Sequence, residues 1–247
     1  MDIEARLRLK EMIKDVKNAV FFGGAGVSVA SGIPDFRGGG GLYTSAVGEY
    51  SPEEILSHGF LMNRPEAFFE YYKENMLYPD AVPNAAHRAL SELEARGILG
   101  AVITQNIDGL HQLAGSERVI ELHGSVLKNY CMRCGKKYDL DAVSGAYGVP
   151  RCEACGGIIR PDVVLYGEGL DGEAIEEAAQ RIYEADMLIV GGTSLTVNPA
   201  ASLVGYYEGR KMVIINKSPT PYDGYADLII REPIEEVLGW LIEEIDG

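Results

Sequence analysis

A chain of 247 residues with 47% hydrophobic and 24% charged side chains buries a substantial core, as one large domain or as a main domain with a smaller satellite, and its composition excludes disorder. Its 37 acidic against 22 basic side chains leave a net charge of −15, a field that repels phosphate backbones, argues against nucleic acid as a partner and favours cationic peptides. No apolar run reaches the roughly 18–20 residues of a membrane span, and Met1 to Val16 lack the continuous apolar core of a signal peptide, so a cytoplasmic protein with no membrane partner is expected.

Ile3, Leu7, Met12, Ile13 and Val16 recur at near-helical spacing and predict an opening amphipathic helix. Asn18 to Phe22 reads as a short buried strand running into Gly23-Gly24-Ala25-Gly26. Helical patterns at Pro52–Phe60 and Pro65–Leu77 then follow with no strand between them. Asn84 to Arg96 predicts a helix with Ala85, Ala89, Leu90 and Leu93 on one side. Further strands are read at 101–104, 119–122, 187–190 and 212–215, and Lys128 to Arg160 interrupts the series. Asp171 to Glu184 reads as a helix that Asp171 caps, and Ile234, Val237, Leu238, Leu241, Ile242 and Ile245 form the stripe of a closing helix. Continuous apolar strands suit a parallel sheet covered on both faces. Their alternation with helices predicts an α/β fold, a doubly wound parallel sheet with a smaller domain built from the two interruptions.

All four cysteines fall in the second interruption, as Cys131-Met132-Arg133-Cys134 and Cys152-Glu153-Ala154-Cys155. Two C-x-x-C pairs at this separation match a four-thiolate zinc site, with Gly135 and Gly156 placed to relieve each knuckle. Disulfides are disfavoured without a signal peptide, and a redox C-x-x-C needs no second copy. Four thiolates leave zinc no open position, so one structural ion is expected.

Gly24-Ala25-Gly26-Val27-Ser28 follows a buried strand, where an open α/β sheet binds phosphates. As a dinucleotide fingerprint it is imperfect, because Val29 stands where the third glycine belongs. Taken alone, it leaves a tight structural turn and a ligand loop equally open. The continuation through Asp35, Phe36 and Arg37 places a carboxylate, an aromatic ring and a guanidinium on one loop, a set suited to screening a cationic ring from water. Gly191-Gly192-Thr193-Ser194 offers a second glycine-hydroxyl turn, and Asn216 ends a later strand, placed to read a ribose or an adenine edge.

Thr104-Gln105-Asn106-Ile107-Asp108 and His123-Gly124 each follow a strand and emerge on one edge of the sheet. An imidazole with an amide and a carboxylate nearby is a general-base cluster, so His123, Asn106 and Asp108 are the candidate catalytic residues. His58, His87 and His111 lie on helical patterns and read as packing or capping residues.

In order and spacing these motifs resemble the sirtuins, NAD-dependent protein-lysine deacylases, from about residue 20 to 217. The resemblance implies a Rossmann-like NAD-binding domain from residues 1–37, 83–127 and 161–247, a helical module over 38–82 and a zinc module over 128–160. It implies NAD contacts at Gly24, Ala25, Gly26, Ser28, Val29, Asp35, Phe36, Arg37, Gln105, Asn106, Ile107, Asp108, Gly192, Thr193, Ser194 and Asn216, with a backbone contact near Ile234. The implied reaction begins when the acyl oxygen of a modified lysine attacks the ribose as nicotinamide departs. His123 then draws a proton through the ribose hydroxyls so that one of them attacks the resulting imidate, and hydrolysis by water releases free lysine and O-acyl-ADP-ribose. Val164-Leu165-Tyr166-Gly167-Glu168 resembles the substrate segment that pairs with an extended acyl-lysine peptide or protein. The chain departs from the family pattern at Gly23, where a hydroxyl residue is usual, at Val29, where threonine is frequent, and at Tyr166, where phenylalanine is common. Members that prefer succinyl-lysine carry Tyr-x-x-Arg on the helical module. The stretch here is Phe69-Glu70-Tyr71-Tyr72, so a deacetylase is expected; a related mono-ADP-ribosyltransferase or a non-catalytic NAD sensor are the alternatives.

Overall fold

The computed structural model describes residues 1–35 and 50–246. Helix α1 (Ile3–Ile13) is capped by Asp2 and leads into β1 (Ala19–Gly23), which is buried along its whole length. Two 3-10 turns, Ala25–Val27 and Val29–Ser31, follow β1 directly. The first insertion holds α2 (Pro52–Ile55), α3 (His58–Asn63) and α4 (Pro65–Asn75). The single helical pattern at Pro52–Phe60 is therefore two helices. Ser57 accepts from the Phe60 N–H and restarts the helix, while the Leu56 carbonyl turns outward to the N–H of Tyr166.

Helix α5 (Ala85–Ala95), β2 (Leu99–Thr104), α6 (Leu110–Leu113) and β3 (Val119–Glu121) return the chain to the main sheet. The cysteine segment then forms β4 (Gly124–Cys131), β5 (Lys137–Tyr138), α7 (Asp141–Ser144) and β6 (Ile159–Val163), with the strands paired antiparallel in the order β5-β4-β6. The chain ends with α8 (Gly172–Glu184), β7 (Met187–Gly191), β8 (Met212–Ile215), β9 (Leu228–Ile230) and α9 (Ile234–Asp246). As expected, the Asp171 side chain caps α8, accepting from the N–H of Glu173.

The six strands of the main sheet run parallel in the order β3-β2-β1-β7-β8-β9. Alternate residues of β1 feed opposite cores. Ala19 and Phe21 pack with α1, α5 and α9, whereas Val20 and Phe22 pack with α8 and the 3-10 segment Ala200–Tyr206. Strand order reverses at the β1–β7 seam, which opens a crevice beyond the carboxyl ends of those two strands. A third core joins both insertions and their flanks: Phe68, Phe69 and Tyr72 of α4 pack with Val143 and Ile159 of the second insertion and with Val126 and Val163 just outside it.

Candidate active site

Both glycine turns lie at the reversal point and pack backbone against backbone. The Gly26 N–H donates to the Gly192 carbonyl at 2.8 Å, and the Gly24 N–H to that of Gly191 at 3.3 Å. Gly192 has φ +60°, and a Cβ there would lie 2.5 Å from the Val27 nitrogen. A side chain at Gly26 would meet Gly192 at 2.8 Å. Only glycine permits this approach, which leaves a cradle lined by main chain, as phosphate binding requires.

Ser28, Gln105, Asn106 and Asp108 converge beneath the cradle. The Ser28 hydroxyl donates to Asp108 Oδ2 at 2.7 Å, and Asn106 Nδ2 donates to Ser28 Oγ at 3.1 Å. Leu110 N–H donates to the other Asp108 oxygen at 2.9 Å. Burial pushes the Asp108 carboxyl up, against the opposing hydrogen bonds from Leu110 and Ser28. Among the described residues Gln105 Nε2 is buried with no partner, while Gln105 Oε1 lies 3.5 Å from the Thr193 hydroxyl. An orphaned donor beside a main-chain cradle fits the acceptor-rich sugar and diphosphate of a dinucleotide.

His123 follows β3 and is joined to the same floor. Its Nδ1 lies 2.9 Å from the Gln105 carbonyl, which only accepts, so Nδ1 carries the proton and Nε2 presents a lone pair. Burial lowers the imidazole pKa against the opposing pull of that carbonyl, which keeps the ring neutral near pH 7. Gly124 has φ +73°, and a Cβ there would sit 2.0 Å from the Asp162 carbonyl oxygen, so the glycine after His123 is a packing requirement of the β4–β6 pairing. His58, His87 and His111 play no part in this cluster: His58 binds Glu168, His87 completes the α5 capping box, and His111 is fully buried against it.

The remaining predicted contacts are distributed around the crevice. Ala25 is half-buried, Val29 is exposed, Asp35 is half-buried, and Ile107 lends its carbonyl to Val126 N–H at 2.9 Å. Ser194 is exposed and bonded to Thr196 at 2.8 Å. The Asn216 amide donates to the Ser218 carbonyl at 2.7 Å. The Ile234 side chain is buried against Gly191 and Phe21, so only its backbone, at the first turn of α9, faces outward chemistry. Phe36 and Arg37 lie outside the described residues. Asn84 was not singled out from sequence, although its place before an apolar helix marks it as a cap. Its amide donates to the Val27 carbonyl at 2.8 Å and to Ser31 at 2.9 Å, fastening the glycine turn to α5.

The four cysteine sulfurs lie within 4.8 Å of one another, with Cys131–Cys155 at 3.4 Å and Cys134–Cys152 at 3.6 Å. A tetrahedron with 2.3 Å zinc–sulfur bonds has edges of about 3.8 Å, so the set fits one zinc ion. Gly135 and Gly156 both take φ +71°, and their N–H groups close the knuckles onto the carbonyls of Cys131 and Cys152.

The Val164–Glu168 segment continues from β6. Val164 N–H donates to the His123 carbonyl at 3.0 Å, which ties the segment to that residue. The Val164 carbonyl and the main-chain groups of Gly167 have no partner among the described residues, and Gly167 takes φ +89°.

A family model described as the Sir2 family matches residues 24–199. A Clostridium tetani protein named NAD-dependent protein deacetylase is 55% identical over 245 residues, 98% of this chain and 99% of its own. A Sulfolobus acidocaldarius protein of the same name is 47% identical, over 99% of this chain and 97% of its own. A solved structure of Sir2 with a p53 peptide and NAD+ aligns with a TM-score of 0.86 at 40% identity, covering 97% of this chain and 98% of that one. A Sir2 structure with a deacetylated p53 peptide and 3'-O-acetyl ADP ribose aligns with a TM-score of 0.88 at 39% identity, covering 96% and 97%.

Proposed function

The chain belongs to the Sir2 family, and from that premise we infer that it is an NAD-dependent protein-lysine deacetylase with one structural zinc ion. Bound NAD supplies the ADP-ribosyl group that accepts the acyl chain as nicotinamide leaves and free lysine is released. The observation that carries the assignment is the tautomer of His123. Its Nδ1–H is spent on the Gln105 carbonyl, which leaves Nε2 to take a proton at the edge of the crevice.

The main-chain N–H groups of Ala25, Thr193 and Ser194, which have no acceptor among the described residues, hold the diphosphate in the cradle that the close approach of Gly26 and Gly192 forms. Gln105 Nε2 donates to the sugar or nicotinamide end, and Ser28, Asn106 and Asp108 form a bonded floor that fixes its orientation. The acyl-lysine peptide pairs with the unpartnered main chain of Val164 and Gly167 as an added strand. Residues 1–37, 83–127 and 161–247 are assigned to the dinucleotide domain and 38–82 with 128–160 to the smaller one, a grouping supported by the shared packing of Phe68 and Phe69 with Val143 and Ile159, while β4 and β6 run across its bounds.

Acetyl rather than succinyl selectivity follows from the helical module. Phe69 and Tyr72 are fully buried and bring no cation, and the neighbouring Lys73 is committed to the carbonyls of Ala146 and Gly148. A buried acyl carboxylate therefore finds no counter-charge on this stretch of α4. Among the described residues no helix is long and apolar enough to cross a membrane. The proposed compartment is the cytoplasm, where thiols stay reduced for the metal.

The test is incubation of the zinc-loaded protein with NAD and an acetyl-lysine peptide, read by mass spectrometry. Free lysine together with O-acetyl-ADP-ribose supports the assignment. ADP-ribose attached to protein, with no acyl transfer, supports a mono-ADP-ribosyltransferase instead, and NAD binding without turnover supports a sensor.

A further inference from the structure

We propose that Arg160 and Glu168 are positioning residues that clamp the peptide-pairing segment at a fixed offset from His123, with His58 as the third jaw. This rests on the reading of Val164–Gly167 as the strand that receives the acyl-lysine peptide.

Arg160 lies on β6 and is only 5% exposed. A buried guanidinium with five donors must spend them, and every bond it makes falls on this segment or its root. Nε donates to the Pro161 carbonyl at 3.0 Å, and Nη2 to the Val163 carbonyl at 2.7 Å. Nη2 also donates to Glu168 Oε2 at 3.0 Å, and Nη1 to Glu168 Oε1. The fork therefore grips the segment at both ends, the carbonyl where it leaves β6 and the carboxylate where it finishes.

Glu168 is the hub. Besides the guanidinium, its carboxylate accepts from the Leu165 N–H at 2.9 Å and from His58 Nδ1 at 2.8 Å. Burial opposes its ionisation, yet Arg160, the Leu165 N–H and His58 outweigh it and hold the carboxyl far below the ordinary carboxylate range. His58 grips twice, since its main-chain N–H also donates to the Tyr166 carbonyl at 2.9 Å, while the Tyr166 N–H donates to Leu56 at 3.0 Å. Both insertions and the segment between them thus meet on one carboxylate.

The consequence concerns register. Leu165 and Tyr166 have their main-chain N–H groups taken inside the protein, so an added strand meets only Val164 and Gly167. Val164 is itself bonded to the carbonyl of His123. With the far end fixed by Glu168, the rail is set relative to the base before a peptide arrives, which reduces the ordering cost of binding. Glu168 acts through the backbone it holds rather than by touching the peptide.

Steady-state kinetics of the zinc-loaded protein with an acetyl-lysine peptide test the clamp. Glu168→Gln keeps the shape but removes the charge, and it is expected to raise the peptide KM roughly tenfold, the scale of a lost charged hydrogen bond. The NAD KM stays unchanged and kcat moves by less than about twofold. Arg160→Lys cannot reproduce the fork and shifts the peptide KM in the same direction. His58→Ala, at a side chain 47% exposed, raises it about two- to threefold without threatening the fold. A merely structural ion pair predicts a lower melting temperature with peptide KM unchanged in all three variants, and that result overturns the proposal. Where Glu168→Gln or Arg160→Lys does not fold, an unchanged peptide KM in His58→Ala overturns it as well. Anisotropy of a fluorescein-labelled acetyl-lysine peptide gives the same comparison without turnover, so an inactive wild type sinks the deacetylase assignment while peptide affinity still judges the clamp.

Discussion

His123 and Gln105 are joined by a 2.9 Å hydrogen bond from the imidazole Nδ1 to a backbone carbonyl, and this contact fixes which nitrogen is basic. The carbonyl cannot rotate or ionise, so the tautomer is set by the ends of β2 and β3 in adjacent positions of the sheet. His123→Ala is expected to lower kcat by about 10²–10⁴-fold, the usual contribution of a positioned general base. NAD affinity and melting temperature change little, because the ring is only half-buried and is held through Nδ1 by the Gln105 carbonyl. Loss of NAD binding together with activity would show that the ring holds the dinucleotide instead.

The pH profile carries the same information. Burial holds the His123 pKa below the ordinary 6.5 of an imidazole, so the base is present at neutral pH and is lost only as pH falls through that lowered value. The acid limb of kcat/KM is therefore expected to have its midpoint below 6.5. A midpoint above 6.5 contradicts a half-buried ring bonded through Nδ1 to the Gln105 carbonyl.

His87 and His111 form a second buried imidazole pair, with centroids 4.8 Å apart and exposures of 0% and 1%. Burial, helped by Arg88, lowers His87 to about 4, and burial, helped by His87, lowers His111 to about 3. Both bind protons more weakly folded than unfolded. Their stabilising effect is complete above pH 6.5 and is lost as pH falls toward 4 and 3, at up to about 1.4 kcal/mol per pH unit per group. Urea unfolding at pH 7 and pH 5 measures this slope. His111→Phe, packed beside Phe21, is expected to flatten it, and an unchanged slope would exclude the pair as its source.

Removing the metal is expected to unfold the antiparallel sheet before the parallel one. Cysteine supplies both knuckles and part of the core that joins the two insertions. Metal binding in small thiolate sites contributes on the order of 10 kcal/mol of folding free energy, and Cys134→Ser forfeits a share of it. Chelation should release one zinc per chain, with loss of activity and a lower melting temperature. Full activity in a metal-free protein would refute a structural role for the ion.

Gly192→Ala tests the cradle. A methyl group there meets the Val27 nitrogen at 2.5 Å and must hold φ near +60°, a strain of about 1–3 kcal/mol. Calorimetry should show weakened NAD binding, more than the melting temperature alone accounts for. Unaltered NAD affinity would place the diphosphate elsewhere.

Most of the α/β order was legible in the sequence because the parallel strands are apolar on both faces. Asn18–Phe22, 187–190 and 212–215 coincide with strands to within a residue or two. The zinc set was legible because spacing alone dictates a knuckle. Strands β4, β5, β6 and β9 were not read. Strand β4 carries Lys128 and Asn129 in its middle, with a register shift there, and Leu228–Ile230 is too short to show a period. The break between α2 and α3 was also missed, since it depends on a carbonyl that turns to Tyr166 more than 100 residues away.

What the sequence determined by itself was chemistry tied to local order: glycines where a backbone must approach closely, paired cysteines at knuckle spacing, polar residues at strand ends. What only the tertiary structure decided was which of those groups share a bond. Ser28 meets Asp108 across 80 positions, and Arg160 reaches Glu168 by folding the segment after β6 back on itself. The reason is physical: residue type and local spacing act over a few bonds of chain. A tautomer, an orphaned amide or a buried ion pair is fixed by neighbours that the strand order brings together.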